Sequence, residues 1–422
     1  MFNIENYNPI EKQATINIGT IGHVAHGKST TIRAISGKST LKYKSELERN
    51  ITIKLGYANA KIYECNCERP ECYSSTPLKC LECNSDKRLI RHVSFVDCPG
   101  HEVLMSTMLN GSAIMNSALL LIAADEDCPQ PQTKEHLEAF KILGIDNFIV
   151  LQSKIDLISK EQALEQYKII NLFLQSNGMS APVVPLSGQM NVNVDAVLDF
   201  IVNYVKEPEL NYDEDSKMII IRSFDINKPG TLYSKVQGGV IGGSIISGSL
   251  RVGEEIEIRP GKIIEENGEV KCVPFITEIK SLYAESTNLD IALPGGLIGV
   301  GTDIDPSECK NDMMVGSVVG KKGKLPPVFK KIKIKYNLLE KPVGSDVDSL
   351  DEESVVTVNV SSASSVVNII EITDDYGYLE LLKPICANVG EKLSISIKEG
   401  KSIRLVGYGN IIEGEDTEII YE

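Results

Sequence analysis

Gly22-His23-Val24-Ala25-His26-Gly27-Lys28-Ser29-Thr30 decides the fold, because it matches G-x4-G-K-[ST], a phosphate-gripping loop that joins a strand to a helix. Backbone N–H groups of such a loop cradle a β-phosphate, the Lys28 ammonium adds positive charge, and the Ser29 hydroxyl can ligate Mg²⁺. The motif carries weight only in the right context. Upstream, Ala14 to Ile21 alternates small or polar residues with apolar ones, as a short strand does. Downstream, Thr30-Thr31-Ile32-Arg33-Ala34-Ile35-Ser36 suits a helix and stops at Gly37. Both flanks agree, and a nucleoside-triphosphate-binding fold is expected.

At 422 residues the chain is too long for one ordinary core, so two or three domains are expected. With 42% hydrophobic and 24% charged residues it reads as globular. No apolar run approaches the ~18 residues of a membrane span. The stretch Met1-Phe2-Asn3-Ile4-Glu5-Asn6 has no basic region followed by an apolar core, so the cytoplasm is the expected compartment. A net charge of −15 works against indiscriminate nucleic-acid binding, though not against a local basic surface. The candidate for one is Lys321, Lys322, Lys324, Lys330, Lys331, Lys333 and Lys335; the alternative is a solvated linker followed by an edge strand guarded by lysines. The acidic stretches at 345–354 and 413–422 read as a solvated loop and tail.

From residue 14 to about 205 strand-like and helix-like segments alternate. Strands are expected at Ile16–Ile21, His92–Asp97, Ala118–Ala124, Asn147–Gln152 and Pro182–Pro185, and helices at Thr133–Leu143, Lys160–Gln175 and Val194–Val205. Such alternation predicts a parallel-type sheet with helices on both faces, and ligands at the carboxyl ends of its strands. The polar, Pro-containing stretch 206–215 ends this pattern. Short Ile- and Val-rich runs punctuated by glycines follow, and a second break falls at 320–327. The expectation is an α/β nucleotide domain over 1–207, with a Cys-rich insertion at 63–86, then antiparallel β-barrels over 208–327 and 328–422.

Four further motifs stand at strand ends in the order a guanine-nucleotide site requires. In Asp97-Cys98-Pro99-Gly100-His101, Asp97 can hold Mg²⁺ through water, and Gly100 lets a backbone N–H approach the γ-phosphate. Ser153-Lys154-Ile155-Asp156 resembles the N-K-x-D guanine motif, with Asp156 accepting two N–H bonds that adenine cannot donate. Ser187-Gly188-Gln189 resembles the S-A-x element whose backbone N–H reaches guanine O6. In Glu46-Leu47-Glu48-Arg49-Asn50-Ile51-Thr52-Ile53, Thr52 is the switch residue expected to ligate Mg²⁺ when a γ-phosphate is present. The nucleotide contacts are thus expected from Ala25, His26, Gly27, Lys28, Ser29, Thr30, Thr52, Asp97, Gly100, Ser153, Lys154, Ile155, Asp156, Ser187, Gly188 and Gln189. Together they favour GTP or GDP over adenine nucleotides.

These motifs resemble those of translational GTPases built from one G domain and two β-barrels. Within that group the chain is similar, over nearly its whole length, to the gamma subunits of eukaryotic and archaeal translation initiation factor two. The stretches 19–30, 48–58, 91–101, 222–230 and 238–244 carry the resemblance most specifically. It implies a GTP-dependent carrier of methionyl initiator tRNA to the small ribosomal subunit, released after GTP hydrolysis. His101 would position the attacking water; no arginine finger is evident, so an activator and the ribosome would complete the site. It further implies alpha and beta subunits and an exchange factor as partners. An elongation-type or selenocysteine-type tRNA carrier, a GTPase subunit of a metabolic complex and a scaffold with a degenerate site are the other readings. Three departures bear on the site. Ala25 stands where delivery factors have Asp, which removes a means of holding a monovalent cation. Ser153 replaces Asn and is expected to reach the phosphate loop only through water, weakening nucleotide binding; Gly188 replaces Ala without consequence if only its backbone acts.

Five of the ten cysteines fall between Cys65 and Cys83. They suit a small Cys₄ zinc ribbon, which needs metal because it has little apolar material for a core. The expected ligands are Cys67, Cys72, Cys80 and Cys83, with Cys65 spare; free reduced thiols are the alternative. The isolated Cys98, Cys128, Cys272, Cys309 and Cys386 are expected to be small buried apolar residues.

Overall fold

A computed structural model describes residues 8–41, 46, 52–101, 104–145, 147–266, 268–339, 349–351, 354–400 and 402–421. The stretch 47–51, the first seven residues and most of the acidic stretch 345–354 lie outside these. The chain divides into two compact units, Met1–Pro208 and Glu209–Glu422.

In the first unit the short helix α1 (Pro9–Lys12) precedes β1 (Ile16–Gly22) and α2 (Lys28–Ser36). Then come β2 (Gly56–Glu64), β3 (Tyr73–Ser74), β4 (Arg88–Asp97), α3 (Met105–Ser112) and β5 (Ser117–Ala123). The unit continues with α4 (Pro131–Leu143), β6 (Phe148–Ser153), α5 (Lys160–Ser176), β7 (Val183–Pro185) and α6 (Val194–Asn203). The described strands make a seven-stranded sheet in the order β3-β2-β4-β1-β5-β6-β7. From β4 to β7 neighbours run parallel, and β2 runs antiparallel to β4. Parallel strands covered on both faces must be apolar throughout, and every residue of Ser117–Ala123 is buried. Leu119 and Leu121 join one core with Ile32 and Ile35 of α2 and Leu198 and Ile201 of α6.

Helix ends follow local chemistry. Ser159 and Gln162 form a capping box at the start of α5. α4 starts two residues before the expected Thr133, because Pro131 is favoured at a first helical position. β2 and β3 were absent from the expected strands. β2 reads Gly-Tyr-Ala-Asn-Ala-Lys, too small and polar for an apolar-run criterion, yet its pairing with β4 from Gly56↔Asp97 to Glu64↔Arg88 carries the cysteine insertion at its far end.

The second unit is almost wholly β-structure. β8 (Lys217–Phe224), β9 (Val240–Ser247), β11 (Glu255–Glu266), β12 (Glu269–Glu278), β13 (Ser281–Ala284), β14 (Thr287–Leu289), β16 (Gly295–Gly301) and β17 (Val318–Lys321) belong to a nine-stranded sheet. β10 (Leu250–Arg251) and β15 (Ile291–Ala292) form a separate ribbon. β18 (Val328–Leu338), β19 (Val356–Val360), β20 (Ala363–Ile372), β21 (Tyr376–Cys386), β22 (Lys392–Glu399) and β23 (Ser402–Asp416) close into a barrel. The ninth strand of the first sheet is β24 (Glu418–Ile419), from the chain's end, paired parallel to β12. The acidic stretch 413–422 is therefore not a solvated tail: it completes β23 and then crosses to the neighbouring sheet. Nor do the lysines guard an edge. Lys331, Lys333 and Lys335 lie on β18, which pairs on both sides within the closed barrel. Several of the basic run are matched by acids, as in Lys330–Glu415 at 2.8 Å and Lys322–Glu255 at 3.6 Å.

A buried ion pair secures this β-unit. Glu257 is fully buried, and the Arg259 Nε donates to it at 2.6 Å. The same guanidinium donates to the carbonyls of Leu325 and Pro326 and to the Tyr421 hydroxyl, so it joins the link between the two sheets to the final segment. Among the described residues no helix is long and apolar enough to cross a membrane. Replacing Arg259 by Met would leave the Glu257 carboxylate buried without its cationic partner, held by the Gly323 N–H and the Tyr421 hydroxyl. The expected cost is ~3–5 kcal/mol of stability in this unit, read by urea unfolding, with partial recovery in a Glu257→Gln/Arg259→Met double variant.

Candidate functional site

The carboxyl end of β1 turns sharply into the phosphate loop. Gly22 has φ +134°, and a Cβ there would lie 2.3 Å from the Leu121 carbonyl oxygen on β5. Gly27 caps α2 in the left-handed region at φ 88°, with no side chain capping the helix, so the first N–H groups of α2 are presented to an anion. Lys28 Nζ donates to the carbonyls of Gly22 (2.8 Å) and His23 (2.7 Å). Burial pulls its pKa down to about 8. Gly100 packs directly on this ammonium: a Cβ there would lie 2.4 Å from Lys28 Nζ and 2.7 Å from the Gly22 carbonyl oxygen.

A cavity of about 580 Å³ opens over the loop. Of the sequence-predicted residues it brings together Ala25, Gly27, Lys28, Ser29, Thr30, Thr52, Gly100, His101, Gly188 and Gln189. Under its floor sits Asp97, fully buried at the end of β4. Its Oδ2 accepts from Ser29 Oγ (2.7 Å), Thr40 Oγ1 (2.5 Å) and Thr52 Oγ1 (3.4 Å), and its Oδ1 from Thr20 Oγ1 (3.2 Å). Burial raises the Asp97 pKa, while these hydroxyls and Lys28 oppose the rise. The Ser29 and Thr52 hydroxyls lie 3.1 Å apart. Two hydroxyl oxygens and a carboxylate beside a phosphate cradle are the hard donor set that suits Mg²⁺.

Ser153, Lys154, Ile155 and Asp156 are not among the residues that line the cavity. Ser153 Oγ donates directly to the His26 carbonyl at 2.7 Å, so the short side chain needs no water to reach the loop, contrary to expectation. Lys154 takes a left-handed φ of 58° and pairs with Asp125 at 3.2 Å. Asp156 is exposed on the short turn Ile155–Leu157, whose Ile155 N–H bonds to the Leu186 carbonyl, one residue before Ser187. Gly188 packs at ordinary distance on Thr30.

Sequence reasoning missed Thr20, Thr40 and His136, none of which belongs to a motif. The Gly22 N–H donates to His136 Nδ1 at 3.1 Å, which requires that nitrogen to be unprotonated. His26 Nδ1 faces the Leu121 carbonyl at 3.0 Å, so that nitrogen carries its proton, and Nε2 faces Glu126 at 3.2 Å.

The cysteine insertion is assembled differently from the expectation. The Sγ atoms of Cys65, Cys67, Cys80 and Cys83 all lie within 4.8 Å of one another. Cys72 pairs with Cys65 through the backbone (3.0 Å) and shares its place in the α/β core, but its sulfur is not one of these four. Cys72 is thus the spare thiol and Cys65 a member of the cluster. Cys67 and Cys80 stand 3.5 Å apart, close to the ~3.8 Å edge of a tetrahedron with Zn–S of about 2.3 Å. Hydrogen bonds from Ser85 pull the Cys83 pKa down to about 6, which favours a thiolate ligand.

A phosphate loop, a buried aspartate under it, a guanine-type motif and two following β-sheet modules define a translational GTPase. The model for the elongation factor Tu GTP-binding domain matches residues 13–207, that for elongation factor Tu domain 2 matches 238–320, and that for the C-terminal part of initiation factor eIF2 gamma matches 330–411. The chain is 54% identical to eukaryotic translation initiation factor 2 subunit gamma of Encephalitozoon cuniculi, over 98% of this chain and 96% of that protein. It is 47% identical to the Schizosaccharomyces pombe subunit gamma (97% and 96% covered) and to subunit 3 of the Drosophila melanogaster factor (96% and 90%). Among solved structures, a bacterial selenocysteine-specific elongation factor superposes with TM-score 0.71 at 20% identity, covering 94% of this chain and 58% of that one. The SelB factor of Methanococcus maripaludis bound to a GTP analogue gives 0.69 at 21% identity, covering 96% and 80%. At such identities these structures share the fold alone. The chain belongs to the gamma-subunit family of eukaryotic translation initiation factor 2, and it is a GTPase.

His136 gives the nucleotide unit a pH dependence. Burial, with nearby Lys28, holds its folded pKa at about 3 against 6.5 when unfolded. Between those values the unfolded chain holds the extra proton, so stability rises with pH and levels off above about 6.5. Denaturation midpoints across this range should fall on acidification, with a slope approaching about 1.4 kcal/mol per pH unit from this group. His136→Gln should remove that component.

Proposed function

We propose that the chain is the GTP-gated carrier of methionyl initiator tRNA to the small ribosomal subunit, and that it works with alpha and beta subunits in the cytoplasm. The convergence of Ser29, Thr52 and Asp97 below the phosphate cradle carries this reading, together with the family to which the chain belongs. In it, loop N–H groups and Lys28 hold the phosphates, Ser29 and Thr52 hold Mg²⁺, and Asp97 does so through water. Asp156 accepts from guanine, while backbone N–H groups at Ser187–Gln189 flank the base. Bound Mg²⁺ neutralises phosphate charge as it accumulates. The Gly100 N–H would approach the γ-phosphate, and hydrolysis would remove that contact. His101, exposed at the cavity, orients the attacking water. An activator and the ribosome complete the site, and an exchange factor renews it.

We further propose that Cys65, Cys67, Cys80 and Cys83 hold zinc. Four crowded thiols repel one another as thiolates, and a divalent ion relieves this. Metal analysis of freshly purified, reduced protein should give one zinc per chain. Cys65→Ser should lose it and Cys72→Ser should keep it; the reverse result would restore Cys72 as a ligand.

The carrier reading is tested by binding of methionyl initiator and methionyl elongator tRNA under GTP and under GDP, with alpha and beta subunits present. Tight binding of the initiator form with GTP alone is expected. Equal binding of both tRNAs would favour elongation-type delivery instead.

A further inference from the structure

Thr40 lies between α2 and β2, in a stretch that contributes no recognisable motif. Its neighbours Ser39 and Leu41 line the nucleotide cavity, whereas Thr40 does not and is only 3% exposed. Its hydroxyl donates to Asp97 Oδ2, the same oxygen that Ser29 and Thr52 approach. The space for it is built. Gly56, the first residue of β2, is paired in register with Asp97, and a Cβ on Gly56 would lie 2.8 Å from Thr40 Cβ and 3.2 Å from Asp97 Cβ. Any larger residue at position 56 would push Thr40 off the carboxylate.

Ser29 and Thr52 line the cavity and can turn an oxygen towards a cation there. Thr40 lies outside the lining, so it reaches such a cation only through Asp97. We infer that Thr40 is a positioning residue of the Mg²⁺ site, fixing the Asp97 carboxylate from behind the cavity wall. A carboxylate that holds a metal through water works only if its own orientation is fixed, and the partners that orient such ligands typically carry ~10–100-fold in metal affinity.

The proposal rests on assigning Ser29, Thr52 and Asp97 to Mg²⁺, and a Ser29→Ala control tests that assignment separately. The measurement is the release rate of a fluorescent GDP analogue from the full chain, followed as Mg²⁺ is titrated and again in EDTA. Thr40→Val should raise the Mg²⁺ concentration needed for half-maximal retention about tenfold or more, with EDTA release unchanged. Thr40→Ser, which keeps the hydroxyl, should restore the wild-type response. An unchanged Mg²⁺ requirement in Thr40→Val, beside a raised one in Ser29→Ala, would overturn the role of Thr40 alone. An unchanged requirement in both would overturn the site assignment and the proposal with it. Faster release in EDTA and Mg²⁺ alike, not corrected by Thr40→Ser, would mark Thr40 as merely structural and overturn it too.

Discussion

One buried carboxylate organises the nucleotide unit. Asp97 is removed from water, and an ionised carboxylate in that setting is costly unless hydrogen bonds satisfy it. Its donors come from β1 (Thr20), the first turn of α2 (Ser29) and, before β2, Thr40 and Thr52. Segments far apart in the chain are thereby held to a single point at the end of β4. The requirement to satisfy Asp97 and the requirement to build a cation site are met by the same hydroxyls. A change in what Ser29 or Thr52 binds must therefore be felt by the other segments that share the carboxylate.

The motifs were legible because each combines a residue type with a strand end. The phosphate loop needs Gly22 where a Cβ would collide with Leu121, the Asp97–His101 motif needs Gly100 where one would collide with Lys28, and such glycines leave a pattern in the chain. The hydroxyls of Thr20 and Thr40 and the imidazole of His136 leave none. Their contacts span 77, 57 and 114 residues, and only the fold brings them to their partners. The same limit applied to strands. The continuous apolar run of β5 announced itself, whereas β2 is held by its register with β4 and could not be read from hydrophobicity. The last strand, β24, was hidden for a different reason: its acidic composition suits a solvated tail, and only its pairing with β12 makes it structural.

The cysteines show where spacing misleads. The sequence reading takes Cys67, Cys72, Cys80 and Cys83 as the ligands and leaves Cys65 spare. In a two-stranded element successive side chains face opposite ways, and what matters is the face rather than the count. Cys72, directly before β3, and Cys65, directly after β2, both join the core with Tyr73, but the Cys65 sulfur is the one that stands with the other thiols. Burial does not separate the two, since Cys65 lies in the same core; what separates them is that the Cys65 sulfur stands within 4.8 Å of those of Cys67, Cys80 and Cys83.

The phosphate loop can be understood through the bonds its backbone makes away from the cavity. A loop becomes selective for anions when its carbonyl oxygens are occupied elsewhere and its N–H groups remain. Here the Gly22 carbonyl is taken by Lys28, that of His23 by Lys28 also, and that of His26 by Ser153. The Gly27 carbonyl is taken within the helix by the Thr31 N–H. Ser153 can do this because it sits against Gly27, where a Cβ would come within 4.0 Å of its own. The replacement of Asn by Ser in the guanine motif therefore preserves one function of that position, a donor to the loop, while giving up the longer reach of an amide. The neighbouring turn Ile155–Leu157 is held separately, by the bond of the Ile155 N–H to the Leu186 carbonyl, and leaves Asp156 exposed.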